Sequence, residues 1–212
     1  MSGARRAPTG LLLVRGAMDP TLRWAGRGLT AVGVAPLEDG WTAVVSTTGE
    51  SAVHEPYDDA MTLLLNRPLP GRLRPAIGFA VIGGQALVAV TPARWRAVRR
   101  WLAWQPGTGL VRPGGLAVAR LADLVRVAGV SDPAAVAAVA DVVHDPRGDA
   151  RTVLGDLLTA LGLPGGTLLA GTEHPTDLPE GREVEPSAAV ASRFERMVHE
   201  DTSWRDEMEG RR

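Results

Sequence analysis

A glycine pair between two apolar runs is the feature that most limits how this chain can fold. Residues 77–82 and 86–90 are short apolar segments joined through Gly83-Gly84-Gln85. Two such runs around a glycine pair are typical of a tight β-hairpin, because glycine adopts the positive φ angles of the turn at low cost. The chain therefore contains an antiparallel strand pair on which other elements have to pack.

The segment after this hairpin predicts a helix, because Thr91-Pro92 offers an N-cap followed by a proline at the first helical position. At about 100° per residue, one stripe of this helix is apolar and the opposite stripe is basic. The apolar stripe consists of Trp95, Val98 and Leu102. The basic stripe consists of Arg96, Arg99 and Arg100.

Trp101 and Trp104 lie outside the apolar stripe of this helix and require a second surface. We expect neighbouring elements of the same chain to bury them, as is usual for large aromatic side chains. A partner or ligand surface is the alternative.

Residues 1–104 predict the order strand, helix, strand, helix, strand, strand, helix. The first strands are expected at 11–14 and 41–46, and helices are expected to begin at Asp19-Pro20 and at Asp58-Asp59. This order is typical of the α/β class, a small mixed sheet with packed helices, and α+β is the alternative class.

The rest of the chain predicts a mostly helical part. Residues 105–115 are rich in glycine and proline and are expected to form a linker. Residues 116–170 predict three short amphipathic helices, forming a bundle or a cover on the sheet, and then a short strand at 167–170. Residues 171–212 predict an acidic, largely irregular tail with one amphipathic helix. The apolar side chains of that helix are Val190, Phe194, Met197 and Val198, and Trp204 extends the same face.

The composition excludes several enzyme classes. All 23 basic residues are arginine, and the chain contains neither lysine nor cysteine, which is typical of a GC-rich bacterial genome. Catalysis by a Schiff-base lysine or a thiol, phosphate binding by a P-loop lysine, thiolate zinc sites and disulfides are therefore excluded. No cofactor is predicted.

The charge of the chain changes along its length, although the net charge is only −1. Residues 1–104 carry 12 arginines against 7 acidic residues, whereas residues 171–212 carry 6 against 11. These balances of +5 and −5 favour attraction within a chain or between two chains. No apolar run approaches the ~20 residues that cross a bilayer, so we expect a cytoplasmic protein without a membrane partner.

The densest group of acidic and imidazole side chains is His54-Glu55 with Asp58-Asp59. Glu55, Asp58 and Asp59 have the oxygen ligands that a hard cation prefers, and a metal-assisted hydrolase is one hypothesis. The zinc-protease spacing is absent, because position 58 is not histidine and Pro56 breaks the helix that it requires. We therefore expect Asp58 and Asp59 to complement a helix N-terminus instead.

The segment from Leu121 to Val136 resembles a helix-turn-helix motif, with 128–131 as the turn. Its second helix offers alanine, valine and Asp141 where DNA-reading proteins place arginine, asparagine or glutamine. No nucleic-acid partner is predicted.

The sequence favours a non-enzymatic module for protein–protein interaction or regulation, with a protein partner or a second copy of the chain. The residues proposed for the interaction are Arg96, Arg100, Trp101, Trp104, Phe194, Met197 and Trp204. The alternatives are the metal-assisted hydrolase and a small-molecule sensor whose ligand stacks on Trp101 or Trp104 and pairs with Arg100.

Overall fold

The computed structural model describes residues 10–52, 59–94, 98–194 and 196–198. These residues form a single eight-stranded sheet with helices on both faces. The strands are β1 Gly10–Val14, β2 Val32–Pro36, β3 Thr42–Ser46, β4 Ala76–Ile82, β5 Gln85–Thr91, β6 Arg100–Gln105, β7 Gly109–Val111 and β8 Arg182–Val184. The α-helices are α1 Met18–Ala25, α2 Ala60–Asn66, α3 Leu121–Ala128, α4 Pro133–His144, α5 Ala150–Ala160 and α6 Gly166–Ala170. The C-terminal helix comprises residues 188–194 and 196–198.

The strand order is β7-β6-β5-β4-β1-β3-β2-β8, and every pairing between these strands is antiparallel. The predicted hairpin is present as β4 and β5, with Ile82 opposite Gln85. Gly83 and Gly84 form its turn with φ angles of 58° and 77°. The combination of sheet and helices confirms the predicted fold class, and the antiparallel pairing places it on the α+β side.

The two faces of the sheet bury different sets of side chains because neighbouring residues of a strand point to opposite faces. On β1, Leu11 and Leu13 pack beneath α3 to α6, whereas Leu12 and Val14 pack beneath α1 and α2. The helical cover after residue 116 thus occupies one face, and the helices of the first hundred residues occupy the other.

The helix predicted after Thr91-Pro92 is absent from the described residues of this segment. Residues Arg100–Gln105 form strand β6 instead, paired with β5 from Ala86 opposite Trp104 to Val90 opposite Arg100. Both faces of β6 are buried, so its four central residues are all apolar and show no alternation that would distinguish a strand. Trp95, Arg96 and Ala97 lie outside the described residues.

Three further segments differ from the expectations in detail. Residues 167–170 lie in helix α6 rather than in a strand, where Gly165 and Gly171 occupy both caps with positive φ. The glycine-rich stretch 105–115 contains the turn to β7 and that strand itself. Two strands that the sequence did not predict, β2 and β8, pair with each other at the far edge of the sheet.

No helix within the described residues is long and apolar enough to span a membrane.

Candidate functional site

Trp101 and Trp104 are buried by the chain itself, as expected. Trp101 is 5% exposed and packs with the α1/α2 face, whereas Trp104 is 1% exposed and packs with the opposite face. The indole nitrogen of Trp104 donates a hydrogen bond to the carbonyl of Asp145 at 3.0 Å. Neither ring offers a surface to a ligand or partner.

Arg100 is fixed by an ion pair within the chain. One of its guanidinium nitrogens lies 2.8 Å from each carboxylate oxygen of Asp123, which is only 7% exposed. Asp123 also accepts a hydrogen bond from the amide of Arg120, at the start of α3. Burial raises the pKa of Asp123, but the hydrogen bonds from Arg120 and Arg100 outweigh it, and the pKa lies below the ordinary value of 3.8. Arg100 therefore anchors α3 to the sheet.

This ion pair predicts an acid-dependent loss of stability. Folding lowers the pKa of Asp123 below 3.8. The ionised carboxylate therefore stabilises the fold above pH 3.8, and this stabilisation is lost as the pH falls through the pKa of the folded state. We expect the free energy of unfolding to fall more steeply for the natural chain than for Asp123→Asn between about pH 5 and about pH 2. Urea denaturation at a series of pH values measures this difference, and parallel curves for the two proteins would contradict it.

Of the proposed metal ligands, only Asp59 lies within the described residues. Its carboxylate caps α2 by accepting the amide of Thr62 at 2.5 Å, which is the role expected for an acid at a helix N-terminus. Glu55 and Asp58, with His54, lie outside the described residues. In the described part of the chain, no group of three or more histidine or acidic side chains is placed to hold a metal ion.

A groove lies where α1, α2 and the C-terminal helix meet. Its volume is about 340 Å³. The residues that line it combine two cations with an apolar wall: Arg27, Gly28, Leu29, Thr30, Leu63, Asn66, Arg67, Val190 and Phe194. On this concave surface Phe194, one of the interaction candidates, faces arginine side chains from the first hundred residues.

Arg67 is held rigidly at the edge of this groove. Its guanidinium stacks on the ring of Trp24, 4.3 Å from the ring centroid. It also donates hydrogen bonds to the carbonyls of Trp24 at 2.5 Å and Ala25 at 3.5 Å. These are carbonyls at the C-terminal end of α1, where a cation complements the helix dipole. The indole nitrogen of Trp24 in turn donates to the carbonyl of Pro68, so the end of α1 and the end of α2 are joined from both sides.

The backbone leaves room for this arginine at Gly28. A β-carbon at that position would lie 2.6 Å from a terminal nitrogen of Arg67, closer than real β-carbons approach other atoms. Burial, and then the neighbouring positive charge of Arg27, lower the pKa of Arg67 to about 10. Arg67 is thus a charged, partly desolvated and preorganised group at neutral pH.

Neither guanidinium of the groove is neutralised by an acidic side chain that the structure describes. The ion pairs in the described residues are Arg100 with Asp123 and Arg147 with Asp145. Arg67 donates its hydrogen bonds to backbone carbonyls, and Arg27 is exposed to solvent. Among the residues that the structure describes, the rim of the groove therefore carries a net positive charge.

The C-terminal helix supplies the opposite wall. Val190 and Phe194 line the groove and are half-buried there, whereas Met197 is 57% exposed. A second concavity of about 480 Å³ runs along the same helix, lined by Val190, Arg193, Phe194, Arg196 and Met197. Trp204, which the sequence places on the same face, lies outside the described residues. The helix thus covers one apolar surface and exposes another.

The amphipathic pattern of the C-terminal helix indicated Val190 and Phe194, which line the groove, but no sequence pattern indicated its arginines. Trp24 and Arg67 are 43 positions apart, and nothing in either local segment indicates that they meet. One weak signal was available: Arg67 directly follows a predicted helix, where cationic side chains bind free carbonyls. That signal does not say which helix end the arginine binds.

Together, the fold and the groove define a class of protein: an antiparallel sheet covered on both faces, with a cationic, partly apolar groove at the margin of one layer. Comparison with known proteins adds no narrower identity, since no family model, no curated protein and no solved structure matches the chain.

Proposed function

We propose that this chain is a non-enzymatic protein-binding module that associates with a second copy of itself through the C-terminal helix. The observation that carries the proposal is the position of that helix. It places Val190 and Phe194 on the groove and leaves Met197 exposed. An exposed methionine beside a half-buried phenylalanine is typical of a binding surface rather than of a fully buried hydrophobic core.

The connection to the C-terminal helix supports exchange between copies. Only residues 185–187 separate the helix from β8, and Pro186 lies in the middle of this tether. Three residues span at most about 10 Å. A helix on such a hinge leaves its own groove and enters the same groove of a second copy at little cost, because identical contacts are remade.

The distribution of charge supports the same partner. Residues 1–104, which include the arginines of the groove, have a charge balance of +5, and residues 171–212 have a balance of −5. Arg27 and Arg67 lie on the groove itself. Attraction between the oppositely charged segments of two copies accelerates association and favours an antiparallel pair.

We expect the full chain to form a concentration-dependent dimer, and a chain ending at Pro186 to remain monomeric. The shorter chain keeps β8 paired with β2, so the sheet is intact. Light scattering after size-exclusion chromatography, from about 1 to about 100 µM, measures the mass of each protein. Phe194→Glu should also give a monomer, whereas Ser192→Glu adds the same charge at an exposed position and should leave the dimer unchanged. If the full chain and the chain ending at Pro186 have equal masses throughout, the proposal is wrong.

Cross-linking separates exchange of the helix from other modes of association. The chain lacks cysteine, so a Leu63→Cys, Phe194→Cys double variant carries thiols only on the two walls of the groove. A short bis-maleimide should produce covalent dimers if the helix occupies the groove of a second copy. Cross-linked monomers alone would place the helix on its own chain and contradict exchange.

A further inference from the structure

We infer that the groove between α1, α2 and the C-terminal helix binds a small organic anion, a carboxylate attached to an apolar body. This site goes beyond the proposed self-association and does not depend on it, since Val190 and Phe194 line the groove whether the C-terminal helix comes from the same chain or from a second copy. The argument combines charge, preorganisation and shape.

The charge of the groove favours an anion. Arg27 and Arg67 are close enough that the charge of one lowers the pKa of the other. Two guanidinium groups at one rim repel each other, and no described acidic side chain lies within ion-pair distance of either. A bound carboxylate relieves this repulsion and gains charge-assisted hydrogen bonds.

Arg67 is preorganised to recognise a planar anion. A guanidinium has five N–H groups, and two hydrogen bonds of Arg67 go to the carbonyls of Trp24 and Ala25. Among the described residues no acceptor is placed for its remaining N–H groups. Stacking on Trp24 fixes the plane of the group, so little side-chain entropy is lost when an anion binds. Gly28 keeps this position open, because any β-carbon there would push the guanidinium away.

The rest of the groove fits an apolar body rather than a sugar or a nucleotide. Leu29, Leu63, Val190 and Phe194 form its walls. Besides the arginines, the polar side chains that line the groove are Thr30 and Asn66. The side-chain amide of Asn66 already donates a hydrogen bond to the carbonyl of Thr62 at 2.9 Å. A volume of about 340 Å³ lies at the lower end of the range for small-molecule sites. One acidic head with a short aliphatic or aromatic tail matches this combination.

Octanoate is a suitable probe, and octan-1-ol is the matched neutral control. Calorimetric titration of the full chain should give saturable binding of octanoate with a dissociation constant below about 1 mM. Octan-1-ol should bind at least about tenfold more weakly, because it lacks the charge that Arg67 recognises.

Variants locate the anion. Arg67→Met should weaken octanoate binding at least about tenfold. Arg67 also holds the end of α1, so its replacement could affect folding. Arg27 is exposed, and Arg27→Ala is therefore the second variant. It should weaken octanoate binding and leave the circular dichroism spectrum of the folded protein unchanged. Arg72→Ala, an exposed arginine elsewhere on the same face, should bind as the natural chain does. Equal affinity for octanoate and octan-1-ol, unchanged affinity in Arg27→Ala, or no saturable binding by the natural chain would overturn the inference. None of these outcomes affects the mass measurements that test self-association.

Discussion

Replacing Trp104 with alanine should lower the free energy of unfolding by about 3–5 kcal/mol. The side chain is 1% exposed and packs on β6 between the sheet and the helical cover, within the larger of the two apolar clusters. Truncation removes this burial and leaves a cavity that the surrounding strands cannot fill. It also leaves the carbonyl of Asp145 without the indole donor at 3.0 Å.

Urea denaturation followed by far-ultraviolet circular dichroism measures this loss. Trp104→Phe separates the two contributions, because it keeps most of the packing and removes the hydrogen bond, and should cost about 1–2 kcal/mol. Val98→Ala is the control, since Val98 is 68% exposed and its truncation should change stability by less than about 0.5 kcal/mol. A Trp104→Ala protein as stable as the control would mean that Trp104 does not lie in the core.

Much of the fold follows from local signals. The hairpin of β4 and β5 is indicated by its two glycines, and α2 by Asp58-Asp59, where Asp59 caps the helix by accepting the amide of Thr62. These predictions succeed because turns and caps are set by the conformational limits of a few adjacent residues. The assignment of helices to the second half succeeds for the same reason.

The failures arise where distant segments decide the structure. Arg100–Gln105 is fixed as a strand by pairing with β5 on one side and β7 on the other. The spacing of its apolar residues also fits one face of a helix. Only the pairing with neighbouring strands excludes a helix at this position. Strand β8, with Arg182 and Glu183 exposed, carries no apolar pattern and exists because β2 offers a free edge.

The residues that line the groove were predicted only in part for the same reason. The amphipathic pattern of the C-terminal helix is local, and it correctly indicated that Val190 and Phe194 share a face. The cationic rim is not local, because Arg27 and Arg67 come from elements separated by two strands in the sequence. The sequence therefore indicated one wall of the groove, but not the arginines that line it opposite.

Arg99, like Arg67, donates hydrogen bonds to backbone carbonyls. Its guanidinium donates to the carbonyl of Leu65, to that of Arg67 at 2.7 Å, and to the hydroxyl of Thr91 at 3.1 Å. Burial, and then the charge of Arg74, lower the pKa of Arg99 to about 10, so it stays charged at neutral pH. It caps the end of α2, beside the segment that holds the groove.

Arg99→Ala should therefore lower the free energy of unfolding by about 2–4 kcal/mol, because it leaves carbonyls at the end of α2 without their donor. Arg99→Lys should be intermediate, since an ammonium keeps the charge but lacks the planar fork that reaches three acceptors. Arg94→Ala is the matched control at an exposed arginine and should change stability by less than about 0.5 kcal/mol. The urea midpoints of the three variants give these values. Equal midpoints for Arg99→Ala and Arg94→Ala would mean that the end of α2 does not need this cap.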